Sequence, residues 1–159
     1  MMSEYVRGCL LMKKIFNSAF EVSLRIMLML SQTVGSDMSI DRIVAYDFIS
    51  LYSAYFDLAD VNLHGDNEFG FSELSARRGV VRDALKVLVL DGLVKVRRCR
   101  SGFCYEITEA GVAFTKGQKT DYANSYRSLV RKVHKRYAEI AEIEIMTIIS
   151  QKATYALRR

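Results

Sequence analysis

The chain has 159 residues, the length of one domain with an appended helical arm, and 50% of them are hydrophobic. This composition excludes a disordered tail and a disulfide miniprotein. The charge-free apolar windows Ile26–Ser36 and Phe48–Phe56 are shorter than the ~20 residues that a membrane span needs. The first residues also lack the pattern of a signal peptide. We therefore expect a cytoplasmic protein without a membrane partner.

The net charge of +5 is unevenly distributed along the chain. Residues 1–70 carry a net charge of −4, whereas residues 71–159 carry +9. This asymmetry suggests two surfaces with different partners, the basic half being suited to phosphate or to an acidic protein face. A solvated basic helix would explain the same charge without any partner.

Two N-terminal helices are predicted before a long loop. Ser18 and Glu21 have the spacing of a capping box, and a helical period of apolar residues continues to Gly35. Ser39 is expected to cap a second helix that ends near Phe56. Asparagines and glycines then indicate a loop over Asp57–Gly70.

The middle of the chain has the pattern of a winged helix-turn-helix. We predict a short helix at Ser72–Ala76, a turn at residues 77–79 and a second helix over Val80–Asp91, which Gly92 ends. Two strand-like runs follow, Leu93–Cys99 and Phe103–Ile107, joined by a turn at Ser101 and Gly102. A helical turn at Glu109–Thr115, which Thr108 is expected to cap, completes this unit.

A long C-terminal helix is predicted beyond Gly117. Its apolar residues are spaced by three and four, as in a helix packed along another helix: Tyr126, Val130, Val133, Tyr137 and Ile140. The fold class is therefore mainly α with a small β-hairpin, a winged helix-turn-helix core flanked by helices. We divide the chain into residues 1–70, 71–117 and 118–159.

The pattern of reactive residues does not favour an enzyme. His64 and His134 are far apart in the sequence, without an evident nucleophile near either. The glycines occur at predicted turns and helix ends, and not in a phosphate-binding loop. His64 with Asp66 and Glu68 is a weak candidate for a cation site, so we expect neither metal nor cofactor.

The cysteines Cys99 and Cys104 lie on the two predicted strands. With a two-residue turn at Ser101 and Gly102, they would be directly opposite each other, which allows a cross-strand disulfide or a redox switch. An odd number of cysteines and a cytosolic location favour reduced thiols instead.

Basic residues form two candidate nucleic-acid surfaces. Such side chains suit contacts with nucleic-acid phosphates, which position the protein without reading the base sequence. The first group lies around the predicted turn and hairpin: Arg77, Arg78, Arg82, Lys95, Arg97, Arg98 and Arg100. The second lies on the C-terminal helix: Arg127, Arg131, Lys132, Lys135 and Arg136.

Apolar residues at outward positions form a candidate protein interface. The predicted helix Val80–Asp91 has few of the long polar side chains that read bases in the major groove, so its outer face fits a protein partner better. The run Ile143–Ile149 either folds back on the domain or contacts a partner. The candidates are Val80, Val87, Leu90, Ile143, Ile145, Met146, Ile148 and Ile149.

Several short motifs resemble a known family. They are Ile15–Glu21, Leu24–Ile26, Ser39–Val44 and Phe71–Leu93 with its paired Arg77 and Arg78. These segments resemble the small middle components of bacterial ABC-ATPase three-component systems, over Ile15 to Tyr137. The resemblance implies a non-catalytic adaptor that joins an SMC-like or ABC-type ATPase to an effector such as a nuclease. Related systems, including the Lamassu type, are similar to anti-phage or anti-plasmid defence cassettes.

Two other functions stay open at this point. A free-standing dimeric winged-helix transcriptional regulator would use the outer face of Val80–Asp91 for bases, whereas the adaptor would cover it with a partner. A small enzyme would require an unrecognised site in the loop Asp57–Gly70. For the adaptor, DNA contact through the basic half would not be sequence-specific.

Overall fold

The computed structural model describes residues 18–65 and 74–157. Within these ranges the chain is mainly helical, with one two-stranded antiparallel hairpin. The elements are α1 (Ala19–Gln32), α2 (Ile40–Leu51), a 3₁₀ turn (Ser53–Phe56), α3 (Leu74–Leu90), β1 (Val94–Cys99), β2 (Gly102–Ile107), α4 (Glu109–Lys116), α5 (Asp121–Tyr137) and α6 (Glu142–Leu157). None of the described helices is long and apolar enough to cross a bilayer.

The two N-terminal helices begin at the predicted caps. The Ser18 hydroxyl accepts a hydrogen bond from the Glu21 amide at 3.2 Å, and Ser39 accepts one from the Arg42 amide at 3.2 Å. Each bond satisfies an amide that has no partner within the helix. α2 ends earlier than predicted, since residues up to Phe56 form the 3₁₀ turn.

The prediction of a helix-turn-helix at residues 72–91 is wrong. The chain forms one continuous helix, α3, through the expected turn. Gly79 is not among the glycines with positive φ, so it does not end the first helix. The Arg77 side chain turns inward and binds α2, which fastens the start of α3 to the core. Residues 72 and 73 lie outside the described ranges.

The hairpin is confirmed, but its register differs from the prediction. Arg97 is opposite Cys104, and Cys99 is opposite Gly102, so Arg100 and Ser101 form the turn. Gly102 has a φ of 112°, which a residue with a side chain rarely adopts. The two cysteines are therefore diagonal neighbours on one face of the hairpin.

The predicted C-terminal helix is interrupted. α5 ends at Tyr137, and α6 starts at Glu142. Arg42 of α2 donates to the carbonyl oxygens of Tyr137 at 3.0 Å and of Ile140 at 2.6 Å. Carbonyls at a helix end need such partners, so this contact explains why the chain separates into two helices here.

The core surrounds α1 and α2. α1 packs against α3, α5 and α4, while α2 contacts α3, α5 and α6. One hydrophobic cluster draws residues from all three predicted segments of the chain. The predicted stripe of α5 lies in this cluster: Tyr126, Val130, Val133 and Tyr137 are buried, and Ile140 is half-buried.

Candidate functional site

A buried ion network joins α1, α2, α3 and α5. Arg25 donates two hydrogen bonds to Asp47, Nε to Oδ1 at 2.9 Å and Nη2 to Oδ2 at 3.3 Å. Arg77 Nη1 binds Oδ2 at 3.3 Å, and the Tyr126 hydroxyl donates to Oδ1 at 2.7 Å. A single carboxylate thus connects four helices.

The electrostatics of this network favour a charged Asp47. Burial by itself would raise the pKa of Asp47, but the adjacent guanidinium groups of Arg25 and Arg77 hold it below its usual value. Burial, followed by the negative Asp47, raises the pKa of Tyr126 well above its usual value. The phenol therefore stays protonated and donates to the carboxylate.

Arg77 was expected on the nucleic-acid surface, and the structure instead places it in this network. Its guanidinium lies 5.8 Å from the centre of the Phe48 ring and 5.9 Å from that of Tyr52. The pairing of Asp47 with Arg25 was not predicted from the sequence. The available signal was that each of these charges lies within an apolar stretch of its helix, because a charge in such a stretch needs a buried partner.

The remaining arginines near the start of α3 lie on the surface. Arg78 Nε binds Asp41 Oδ1 at 2.8 Å, and both side chains are about half exposed. Arg82 lies 3.5 Å from its neighbour Asp83. Because both pairs are exposed to solvent, the attraction within each is weak.

The basic residues of the hairpin differ in their ion pairs and in their exposure. Arg97 forms short contacts with Glu106 and Asp37, and Lys95 Nζ lies 3.5 Å from Glu106. The hydrogen bond from Arg97 lowers the pKa of Glu106, which keeps this carboxylate charged. Arg98 and Arg100 are exposed near the tip of the hairpin, and Arg98 is opposite Phe103, whose side chain is 59% exposed.

The two hairpin cysteines form a disulfide. Cys99 and Cys104 are bonded across the strands with a Cα–Cα distance of 6.1 Å. The expectation of reduced thiols is thus not met in this structure. Asp37 lies beside them, and its carboxylate and the two sulfurs are all within 4.8 Å of one another. Metal ions bind thiolates, so these sulfurs are not ligands in the disulfide form.

The basic residues of α5 bind mainly carbonyl groups of the chain itself. Arg127 donates to the Thr115 carbonyl in the last turn of α4 at 2.5 Å and to the Gln118 carbonyl beyond it at 2.6 Å. Arg136 donates to the Phe56 carbonyl at 2.7 Å, and Lys132 lies 3.4 Å from the Leu58 carbonyl. Arg131 binds the Gln32 side chain at 2.8 Å. Lys135 is exposed.

Both histidines have hydrogen-bond partners within the fold. His64 Nε2 lies 2.8 Å from the Tyr122 hydroxyl, and burial lowers the pKa of His64 to about 4. His134 lies between Ser36 and Tyr46, at 3.1 and 3.0 Å. Burial lowers the pKa of His134 as well. Asp66 and Glu68, the other members of the weak cation site, lie outside the described residues.

The apolar interface candidates separate into exposed and buried residues. Val80, Val87 and Leu90 on α3 are 41%, 52% and 86% exposed, and Ile143 on α6 is also exposed. The side chains of Ile145 and Ile149 lie instead in the chain's own core, because α6 packs against α2. Met146 and Ile148 are half-buried against the same core.

A comparison with protein families gives one match, over residues 15–159, to the family described as ABC-three component (ABC-3C) system Middle Component 2. Comparisons with curated proteins and with solved structures give no match. The matched range includes every described helix and both strands. The chain therefore belongs to the Middle Component 2 family of ABC-three component systems.

Proposed function

We propose that the protein is a non-catalytic adaptor that joins the ABC-type, SMC-like ATPase of its system to an effector such as a nuclease. The proposed setting is a cytoplasmic complex that acts against phages or plasmids. Membership of the family makes other system components the partners to consider. We further propose that α1–α3 and the hairpin form a winged-helix unit, supported by the Tyr105 amide, which donates to the Met38 carbonyl at 2.9 Å.

The apolar outer face of α3 is the observation that carries this proposal. A helix that reads bases needs long polar side chains at its outward positions. α3 presents Val80, Val87 and Leu90 there, with Leu90 86% exposed. Its long polar side chains in this stretch are Arg82, Asp83 and Lys86. Exposed apolar residues grouped on one helix are typical of a protein-protein contact. This face favours the adaptor over a free-standing transcriptional regulator.

Contact with DNA is a secondary part of the proposal. Arg98 and Arg100 are exposed near the tip of the hairpin, and their guanidinium groups suit phosphates. Arg77 is committed to Asp47, and Arg97 to Glu106 and Asp37. We therefore assign contact with the DNA backbone to the tip of the hairpin, without base readout.

The adaptor is tested by co-expression of the three components of the system, with an affinity tag on the ATPase. We expect the effector to be recovered in fixed stoichiometry when this chain is present and to be lost when it is omitted. Leu90→Asp should reduce recovery of the effector or of this chain at least fivefold, because a charge cannot be buried in an apolar contact. Val61→Asp is the matched control, since Val61 is 76% exposed outside α3. Equal recovery of the effector without this chain would refute the adaptor.

A further inference from the structure

An open groove of about 360 Å³ runs between α1 and α3. One wall consists of Phe20, Leu24 and Met27, which lie four and three residues apart and hence on one face of α1. The other wall includes Val87 and Leu88 of α3, and Phe114 of α4 lies at the side. Two helices thus form a trough with apolar walls.

Three apolar side chains along this groove are exposed to an unusual degree for their type. Phe20 is 70% exposed, Val87 52% and Phe114 39%. Leu90, one turn beyond Val87 on α3, extends the same apolar surface. Contiguous exposed apolar surface marks a contact site on soluble proteins. This groove is therefore suited to an apolar occupant.

Both titratable residues that line the groove are acidic, Asp83 on α3 and Asp91 directly after its last residue. Asp83 lies 3.5 Å from Arg82, but this pair is exposed to solvent and therefore weak. No lysine, arginine or histidine is among the lining residues. An occupant with cationic side chains beside its apolar stripe would complement this edge.

We propose that the groove binds an amphipathic helix of another component of the system, with an apolar stripe flanked by lysine or arginine residues. A helix binds a trough of this kind through its own residues at positions i, i+3, i+4 and i+7. Along the wall of the groove, Phe20, Leu24 and Met27 of α1 have a matching spacing. The inference rests on the proposed adaptor function and names the chemistry of the segment that the adaptor receives. The flanking cations of that helix bind Asp83 and Asp91.

The test uses two labelled 16-residue peptides on the full chain, an amphipathic helix of leucine and lysine and its counterpart of leucine and glutamate. Fluorescence anisotropy should show the lysine peptide binding at least tenfold more tightly. The net charge of the chain is +5, so attraction to overall charge would favour the opposite peptide. Asp83→Asn with Asp91→Asn should reduce this preference at least threefold. Equal binding of the two peptides, or no binding of the lysine peptide, would overturn the proposal.

Substitutions in the groove locate the binding site. Val87→Asp should weaken binding of the lysine peptide at least tenfold, whereas Val61→Asp should leave it unchanged, with folding of both variants checked by circular dichroism. Unchanged binding by Val87→Asp would overturn the proposal. Sedimentation equilibrium tests whether a second copy of the chain is the occupant. A dimer that Val87→Asp dissociates would show that the groove binds a second copy and not a partner helix. If the lysine peptide does not bind while the chain still links the ATPase to the effector, the groove is refuted as the binding site and the adaptor function is not contradicted.

Discussion

Asp47 is a buried carboxylate that binds side chains from three other helices. It is 3% exposed and accepts hydrogen bonds from Arg25, Arg77 and Tyr126. A buried charge is tolerated only when its partners compensate for lost hydration. Because these partners lie on three different helices, the network also fixes how α1, α3 and α5 approach α2.

We expect Asp47→Asn to lower the free energy of unfolding by about 3–5 kcal/mol, since it leaves Arg25 buried without a counter-ion. Asp41→Asn is the matched control. Asp41 binds Arg78 at the surface, so its loss should cost less than about 1 kcal/mol. Urea denaturation of both variants measures the difference, and equal effects would contradict the role assigned to the network.

At the scale of elements, close backbone approach decides how α4 packs behind the hairpin. The Thr108 hydroxyl accepts from the Gly111 amide at 3.2 Å and donates to the Gly92 carbonyl at 2.7 Å. A Cβ atom on Gly111 would lie 2.3 Å from the Leu93 carbonyl oxygen and 2.6 Å from Ile107 Cγ1. Gly111 therefore allows the start of α4 to lie directly against the ends of both strands.

Two glycine substitutions should change stability in opposite directions. Gly111→Ala should destabilise the fold by about 1–3 kcal/mol, because the new methyl group has no space. Gly79→Ala should stabilise it by about 0.5–1 kcal/mol, since alanine favours helix and the nearest atom is Arg82 Nη2 at 3.9 Å. Thermal denaturation compares the two. A stabilising Gly111→Ala would show that α4 does not pack in this way.

At the scale of the whole molecule, contacts within the chain occupy many of its basic side chains. Most cations of α5 bind backbone carbonyls of the same chain, and Arg77 and Arg97 bind carboxylates. Near the tip of the hairpin, Arg98 and Arg100 stay exposed. Direct contact with phosphate therefore depends on fewer residues than the composition suggests.

The proposed DNA contact predicts a specific change in salt dependence. Arg98→Gln with Arg100→Gln should weaken duplex binding and reduce the slope of log Kd against log salt by about 2, one unit per lost phosphate contact. Lys116→Gln with Lys119→Gln removes the same charge from exposed positions outside the hairpin and should leave the slope unchanged. Filter binding over a salt series measures both. Equal changes in the two variants would mean that net charge alone attracts DNA.

Features that depend on neighbouring residues were predictable from the amino-acid sequence. The caps at Ser18, Ser39 and Thr108, the buried stripe of α5 and the existence of the hairpin follow from periodicity and local hydrogen bonding. The motifs in the N-terminal helices and in Phe71–Leu93 were sufficient to identify the family, which the match over residues 15–159 confirms. These features depend on short-range interactions, so the local sequence is sufficient to predict them.

Features that depend on partners distant in the sequence became known from the folded chain. Arg77 and Gly79 suggested a turn, but the attraction of Arg77 to Asp47, 30 residues earlier, holds it within a continuous α3. Arg42 ends α5 through carbonyls more than 90 residues away. Which arginines stay free for a ligand depends likewise on the carboxylates and carbonyls that folding brings to them. The charge of a residue is known from its type, whereas its ion-pair or hydrogen-bond partner depends on how the helices pack.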